Sequence, residues 1–376
     1  MYAIGLMSGT SLDGVDACLV EITQNNGKYN YQQIGFVFLP YSEVLKVKIL
    51  DASRIETSNV QKICSLNFEL SYAYCDAIEE LLKKYNIESK DITFIAMHGQ
   101  TIWHNPNEMG GYCSSTLQIG EPSVIAYKFN TLVISNFRTM DMAAGGSGAP
   151  LVPFVNYVLF RSDNKNIAFQ NIGGIGNVAY IPKNSTSSDV IAFDTGPGNM
   201  LIDEAMKILY NKPYDEGGNI ALSGSVNSAI LEKLMNDEYL DLPYPKSTGR
   251  EKYNKSFLEN ILKEMKDEPK ENIIATITAY TADTIFYSYN KFCKDVDEMI
   301  LSGGGSYNKF IIKRLKEKLN IPVIIHSESD SYEAFCFVVL GHHTYMKEPS
   351  NMKVVTGAKE EVVLGNFTYP PRKKER

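Results

Sequence analysis

Asp194 and the residues after it carry the plainest chemical signal in the chain. The apolar run 191–193 ends on this carboxylate. Thr195-Gly196-Pro197-Gly198-Asn199 then form a rigid turn ahead of an apolar-periodic segment. Strand ends feeding such turns are where open α/β sheets place ligands, and a carboxylate held there suits a general base. The other reading is a helix cap or an Asx-turn. Three more stretches suit an anion or a flat ligand: Gly9-Thr10-Ser11-Leu12-Asp13-Gly14-Val15-Asp16, Gly173-Gly174-Ile175-Gly176-Asn177, and Gly303-Gly304-Gly305. Loops rich in Gly, Ser and Thr turn amides and hydroxyls toward one point, although ordinary turns share that composition. His98-Gly99-Gln100-Thr101 follows an apolar run, so His98 is either a substrate donor or a core histidine. Arg138 and Asp141 are either sugar or phosphate contacts or a surface ion pair. Glu333 falls in a first helical turn, where a carboxylate suits the helix dipole in any case.

The elements that must position these residues follow from periodicity. Strands are expected at 2–6, 15–22, 31–39, 92–97, 116–119, 131–135, 166–171, 178–181, 190–193, 298–301 and 321–325. Helices are expected at 60–85, 201–209, 226–240, 257–265, 273–292, 308–319 and 332–346. A strand, a Gly-rich turn and two more strands occur at the start and again about half a chain later. The repeat is one of pattern and not of letters, and it implies two related lobes facing each other across a nucleotide. The lobes are expected at 1–137 with a C-terminal return 347–376, and at 138–346. Pro245-Lys246-Ser247-Thr248-Gly249-Arg250 yields no chemistry of its own; its two cations meet an anion or water.

Composition narrows the classes. The 376 residues are 44% hydrophobic and 22% charged with a net charge of −7. That is globular and unlike the basic footprint of a nucleic-acid binder. No apolar run approaches the length of a bilayer span, and the start, Met-Tyr-Ala-Ile-Gly, lacks a secretory n-region. Six scattered cysteines without a C-x-x-C pair suit reduced thiols in a cytoplasm. Five histidines show no metal-site spacing.

The letters themselves resemble a known family. Ile4 to Asp16, His98-Gly99-Gln100-Thr101, Gln118-Ile119-Gly120, Ala143-Ala144-Gly145-Gly146 through Pro150, Asn171 to Ile175, Asp194 to Asn199 and Leu301 to Gly305 are similar to segments of the anhydro-N-acetylmuramic acid kinases, in order and over nearly the whole chain. The resemblance implies an α/β, two-domain actin-like ATPase (ribonuclease H-like) fold, each domain a mixed sheet flanked by helices, with the active site in the interdomain cleft. It implies ATP and Mg2+, a small amino-sugar substrate, no nucleic-acid or membrane partner, and a cytoplasmic homodimer. The implied reaction converts 1,6-anhydro-N-acetylmuramic acid, ATP and water to N-acetylmuramic acid 6-phosphate and ADP in peptidoglycan recycling. By the same resemblance Asp194 is the catalytic base. Gly9 to Asp16 and Gly173, Gly174 and Asn177 bind the phosphates, and Gly303 to Gly305 lie against the adenosine. His98, Gln100, Arg138 and Glu333 bind the sugar.

Three positions depart from the pattern. Met7 stands where superfamily kinases often carry an acid, so Asp13 or Asp16 is expected to reach the metal, through water. Asn136 replaces an aspartate common before Phe-Arg, and Trp103 replaces a common arginine. Two rival readings are a sugar kinase acting on an ordinary hydroxyl and a non-catalytic nucleotide switch. A DNA-binding sugar sensor lacks a helix-turn-helix before the first strand.

Overall fold

The computed structural model describes residues 1–9, 12–326 and 330–372. Its strands are β1 (Tyr2–Ser8), β2 (Gly14–Asn25), β3 (Lys28–Pro40), β4 (Ile92–Asn105), β5 (Ser115–Ile119), β6 (Leu132–Ser135), β7 (Ile167–Ile172), β8 (Ile175–Ile181), β9 (Ile191–Pro197), β10 (Glu298–Ser302), β11 (Val323–Ile325) and β12 (Asn366–Thr368). They form two sheets. One runs β12-β6-β4-β1-β2-β3 with β5 added to β4; the other runs β11-β10-β7-β8-β9. In each, three consecutive strands make an antiparallel meander, and two later strands add in parallel beside the first of them. The order third-second-first-fourth-fifth therefore occurs twice. The two sheets thus repeat one unit, as the repeated pattern of the sequence anticipates.

The chain divides into two compact units, Met1–Val155 with Ser331–Arg376, and Asn156–Asp330. The expected boundaries at 137/138 and 346/347 miss this on both sides. The reason lies in the helix Tyr332–Met346, which packs on the first sheet. A Cβ on Gly5 of β1 would lie 1.9 Å from the Ala334 carbonyl oxygen, and one on Gly341 would lie 2.6 Å from Ala96 Cβ. Such close approach needs glycine on both surfaces. The helix therefore brings Glu333 into the unit that also holds Arg138.

Helices at 60–85 and 332–346 form as their periodicity predicts. Asn59 caps the first by accepting from the Lys62 amide at 2.9 Å, and its apolar face, from Leu66 through Leu82, enters the core. Three expectations change. The helix expected at 226–240 is two, Ser228–Met235 and Glu238–Asp241, because Asp237 caps the second by accepting from the Tyr239 amide. His98 to Thr101 lie inside β4 and not at its end, because β5 continues the ladder from Gln100 where β1 stops. Asp194 likewise lies inside β9, opposite Asn177. The helices Glu43–Ala52, Thr139–Ala143 and Val152–Phe160 are additions to the expected set. No helix among the described residues is long and apolar enough to cross a membrane.

If the Gly5 contact sets how the helix Tyr332–Met346 seats, Gly5→Ala should cost about 1–3 kcal/mol, as overpacking does. A lowered urea midpoint with an unchanged slope would register it; an unchanged midpoint would refute the contact.

Candidate active site

In the first unit the end of β1 is braced before it turns. Ser8 Oγ lies 2.7 Å from Tyr74 Oη, and Gln100 Nε2 donates to the Gly9 carbonyl at 3.2 Å. Leu12 adopts φ +61° and its amide donates to Gly9 O at 3.3 Å. Asp13 is exposed, and its carbonyl accepts from the Tyr41 amide. Thr10 and Ser11 lie outside the described residues. The expected phosphate stretch 9–16 is shorter than the sequence suggests. Gly14, Val15 and Asp16 already belong to β2, with their backbones paired to β3. A Cβ on Gly14 would meet the Leu39 carbonyl oxygen at 2.2 Å, and Val15 is core.

Arg138 is the centre of a second group. Its Nε donates to His98 Nε2 at 2.9 Å and its Nη1 to the Gly148 carbonyl at 2.9 Å. His98 is buried. Burial, then the adjacent guanidinium, push its imidazole down to about 3, so it is neutral and its proton sits on Nδ1. His98 and Gln100 thus spend hydrogen bonds on Arg138 and on the β1 loop; the buried Gln100 Oε1 has no partner among the described residues. Glu333 is reached by water, yet enough protein surrounds its carboxyl to raise it above the usual range, while Arg138 draws it back. Asp141 is neither a ligand contact nor a surface ion. It is fully buried and accepts from the Gly148 amide, Asn351 Nδ2 and Thr356 Oγ1 at 2.8–2.9 Å, fixing the small-residue loop. Asn136 takes φ +59°, a left-handed conformation that asparagine tolerates. Trp103 is exposed on β4.

In the second unit Asp194 is half-buried. Its Oδ2 accepts from the Thr248 amide at 2.9 Å, and its other oxygen has no hydrogen bond among the described residues. Burial pushes the carboxyl up to about 6; the Thr248 amide opposes this and Glu251 adds to it. The capping alternative does not hold, since the N-cap of the helix Met200–Tyr210 is Asn199. Thr248 stands 54 residues from Asp194, a distance at which no local spacing rule gives a signal. Lys246 does not meet an anion or water: it is buried, and its ammonium donates to the Tyr239 and Leu240 carbonyls. Arg250 is exposed.

The glycines of this unit separate into two kinds. Gly173 and Gly174 carbonyls accept from the amides of Gly198, Asn199 and Met200 at 2.8–3.1 Å. A Cβ on Gly303, at φ +80°, would meet Asn171 Oδ1 at 2.5 Å and Ile172 O at 2.7 Å; one on Gly305 would meet Ile172 Cγ2 at 2.3 Å. Those two are glycine for the protein's own packing. Gly173, Gly174 and Gly304 would meet nothing closer than 3.5 Å. Asn177 is exposed, and cross-strand register aligns Ser302, Asn171, Asn177 and Asp194 in one row over four strands. Residues directly opposite share a sheet face, and here it is the face turned away from the Ala168, Val178, Phe193 and Leu301 core.

Comparison with known proteins bears on the family. The family model described as "Anhydro-N-acetylmuramic acid kinase" matches residues 1–370. A protein of that name from Bacillus cereus is 48% identical over 382 residues, covering 99% of this chain and 98% of its own. Another, from Bacillus thuringiensis subsp. konkukian, is 47% identical over 381 residues, covering 99% and 100%. Among solved structures, component A of the Acidaminococcus fermentans (R)-2-hydroxyglutaryl-CoA dehydratase is similar at a TM-score of 0.47 and 11% identity, covering 96% of this chain and all of its own. A ROK family glucokinase from Streptomyces griseus gives 0.41 and 9%, covering 90% and 99%. Neither structural likeness bears on the reaction.

The raised carboxyl of Asp194 has a consequence for stability. Its folded value lies above the ordinary 3.8, so the folded protein holds this proton more tightly than the unfolded chain. The stability it lends is full below the ordinary value and is lost as pH rises through the folded one. Asp194→Asn should therefore raise the melting temperature at about pH 8, with the gain gone near about pH 3.5. A gain that is equal at both ends, or absent, would contradict the shift.

Proposed function

We propose a reaction for this site from one premise: the chain belongs to the anhydro-N-acetylmuramic acid kinase family. It is an enzyme of that family, a phosphotransferase acting on a sugar. Our reading goes further. Asp194 takes a proton from water as the water oxygen attacks the anomeric carbon of 1,6-anhydro-N-acetylmuramic acid. The C1–O6 bond breaks, O6 attacks the γ-phosphorus of ATP, and ADP leaves. In an inverting glycosidase a carboxylic acid protonates the leaving oxygen while base-activated water attacks the opposite face. Here the phosphoryl group takes the place of that proton.

One observation carries the reading: one Asp194 oxygen is fixed by an amide, the other is unspent among the described residues, and the carboxyl is pushed up to about 6. A general base works best when it is oriented and its affinity for protons lies near the working pH. Arg138 and Glu333 suit the sugar: His98 and Gly148 hold the guanidinium still, and its Nη2 has no hydrogen bond among the described residues. The loop from Gly9 and the open faces of Gly173, Gly174 and Gly304, with Asn177, suit the nucleotide.

Magnesium fits the donors present. No group of three metal-binding side chains occurs among the described residues, and magnesium on a nucleotide characteristically takes one or two carboxylates, with phosphates and waters completing the shell. Asp13, an exposed carboxylate of the loop from Gly9, would hold it through water, and the ion would neutralise phosphate charge. The setting we propose is peptidoglycan recycling in the cytoplasm, by a homodimer.

This reading has two tests. Asp194→Asn should lower turnover at least about 1000-fold, within the span general bases supply, while ATP affinity stays near wild type; in the wild type, oxygen-18 from solvent should appear at C1 of the product. Wild-type-like turnover removes Asp194 from the reaction, and unlabelled product means an ordinary hydroxyl is the acceptor. The glycines give the second test. Gly174→Ala and Gly304→Ala should raise the KM for ATP about tenfold at unchanged melting temperature, whereas Gly303→Ala, forced into a left-handed conformation, should cost about 1–3 kcal/mol of stability. Unchanged KM in the first two would free those faces from the nucleotide.

A further inference from the structure

Lys246 is left without a task by the reaction above. It is 8% exposed. Its ammonium donates to the Tyr239 carbonyl at 3.1 Å and the Leu240 carbonyl at 2.9 Å. Three rings surround it, with centroids at 4.7 Å (Tyr239), 4.8 Å (Phe292) and 5.5 Å (Phe193). Burying an ammonium is costly, and a well-packed apolar side chain would often serve stability as well or better. A cation kept in such a place is doing something that packing alone does not require.

The connections of the same residue show what that is. The Asp194 amide donates to the Lys246 carbonyl at 3.0 Å. The Lys246 side chain donates to the Tyr239 carbonyl, and the Tyr239 hydroxyl donates back to the Asp194 carbonyl at 2.8 Å. The three residues close a ring of hydrogen bonds. Two residues beyond Lys246, the Thr248 amide holds the Asp194 carboxylate. We propose that Lys246 is the positioning residue for Asp194: its caged ammonium locks the segment that aims the Thr248 amide at one carboxylate oxygen and leaves the other to the attacking water.

The proposal rests on the reading of Asp194 as the base. It predicts a change in basicity as well as in rate, because an amide donating to a carboxylate favours its charged form. Glu251 and Tyr239 face Asp194, while Lys291, Asp241 and Asp237 stand around Lys246; none of these groups is itself removed when Lys246 alone is changed. Once the segment loosens, the amide no longer favours the charged carboxylate. The carboxyl then rises further, and activity is lost at a higher pH on the acid side.

The test is the pH profile of kcat/KM for the anhydro sugar in Lys246→Met, Lys246→Arg and Asp194→Asn. The wild-type acid limb is expected near about 6. In Lys246→Met it should move up about one pH unit, with kcat down about tenfold and KM for sugar and ATP within about twofold. Lys246→Arg, which keeps the charge and the donors, should return the limb toward wild type. A folded Lys246→Met with an unmoved limb overturns the proposal, whatever its rate, since a merely structural lysine lowers the folded fraction without moving the limb. Should that variant fail to fold, Phe292→Leu opens one wall of the cage and carries the same test, with an upward shift expected and an unmoved limb overturning it. An active Asp194→Asn overturns the base assignment itself, and is seen independently of any limb.

Discussion

In the proposed reaction the Asp194 carboxylate must accept a proton, so it can be neither fully solvated nor fully paired, and the second unit holds it between those limits. Full solvation would return it to the ordinary carboxylate range, where it is a weak base; a second strong donor would stabilise its charge and do the same. One amide, from Thr248, orients it without quenching it. The backbone on either side must then be immobile, and it is pinned from two directions. The 239–248 segment holds Asp194 itself. The helix Lys270–Phe292 holds the turn after it: Thr281 Oγ1 donates to the Gly198 carbonyl at 2.9 Å, and Thr284 packs against Gly196, which sits at φ +136°. The buried Thr281 is explained by this duty, since a methyl in place of its hydroxyl would leave the buried Gly198 carbonyl without that donor.

Much of this was legible in the sequence, for identifiable reasons. The helix Val60–Tyr85 announced itself by apolar spacing along its 26 residues and an asparagine cap, and the doubled strand–turn–strand pattern foretold two sheets of one order. Strand ends were harder to read. Polar residues at 98–101 and at 194 look like termini, but a ladder continues wherever a remote partner supplies it, as β5 does for β4. The Asn236-Asp237 pair was a readable stop signal overridden by the apolar spacing around it. The ties of Thr248 and Tyr239 to Asp194 span 54 and 45 residues and leave no periodic trace; the tie of Lys246 is as remote.

Glycine runs show the same difference between composition and cause. As letters, Gly173-Gly174 and Gly303-Gly304-Gly305 read alike, as places where a ligand approaches. Within the fold, Gly303 and Gly305 exist because β7 lies too close for a side chain, and Gly304 between them does not share that reason. Nor do Gly173 and Gly174 place helix-end amides at a ligand's disposal: their carbonyls already take the amides of Gly198, Asn199 and Met200.

That spending of amides bears on how the proposed reaction handles charge. None of the stretches 9–16, 173–177 and 303–305 contains a lysine or an arginine, and three amides at the start of the helix Met200–Tyr210 are committed. If these stretches bind the nucleotide as proposed, they bring no fixed positive side-chain charge of their own to it. Phosphoryl transfer depends on neutralising the charge that spreads over the transferred group, so in this reading a divalent ion is a requirement of the loops' composition. The same scarcity suits the row Asn171, Asn177 and Asp194. The neutral Asn177 opposite Asp194 leaves the raised proton affinity of its carboxyl undisturbed, whereas a lysine there would pair with it and lower that affinity.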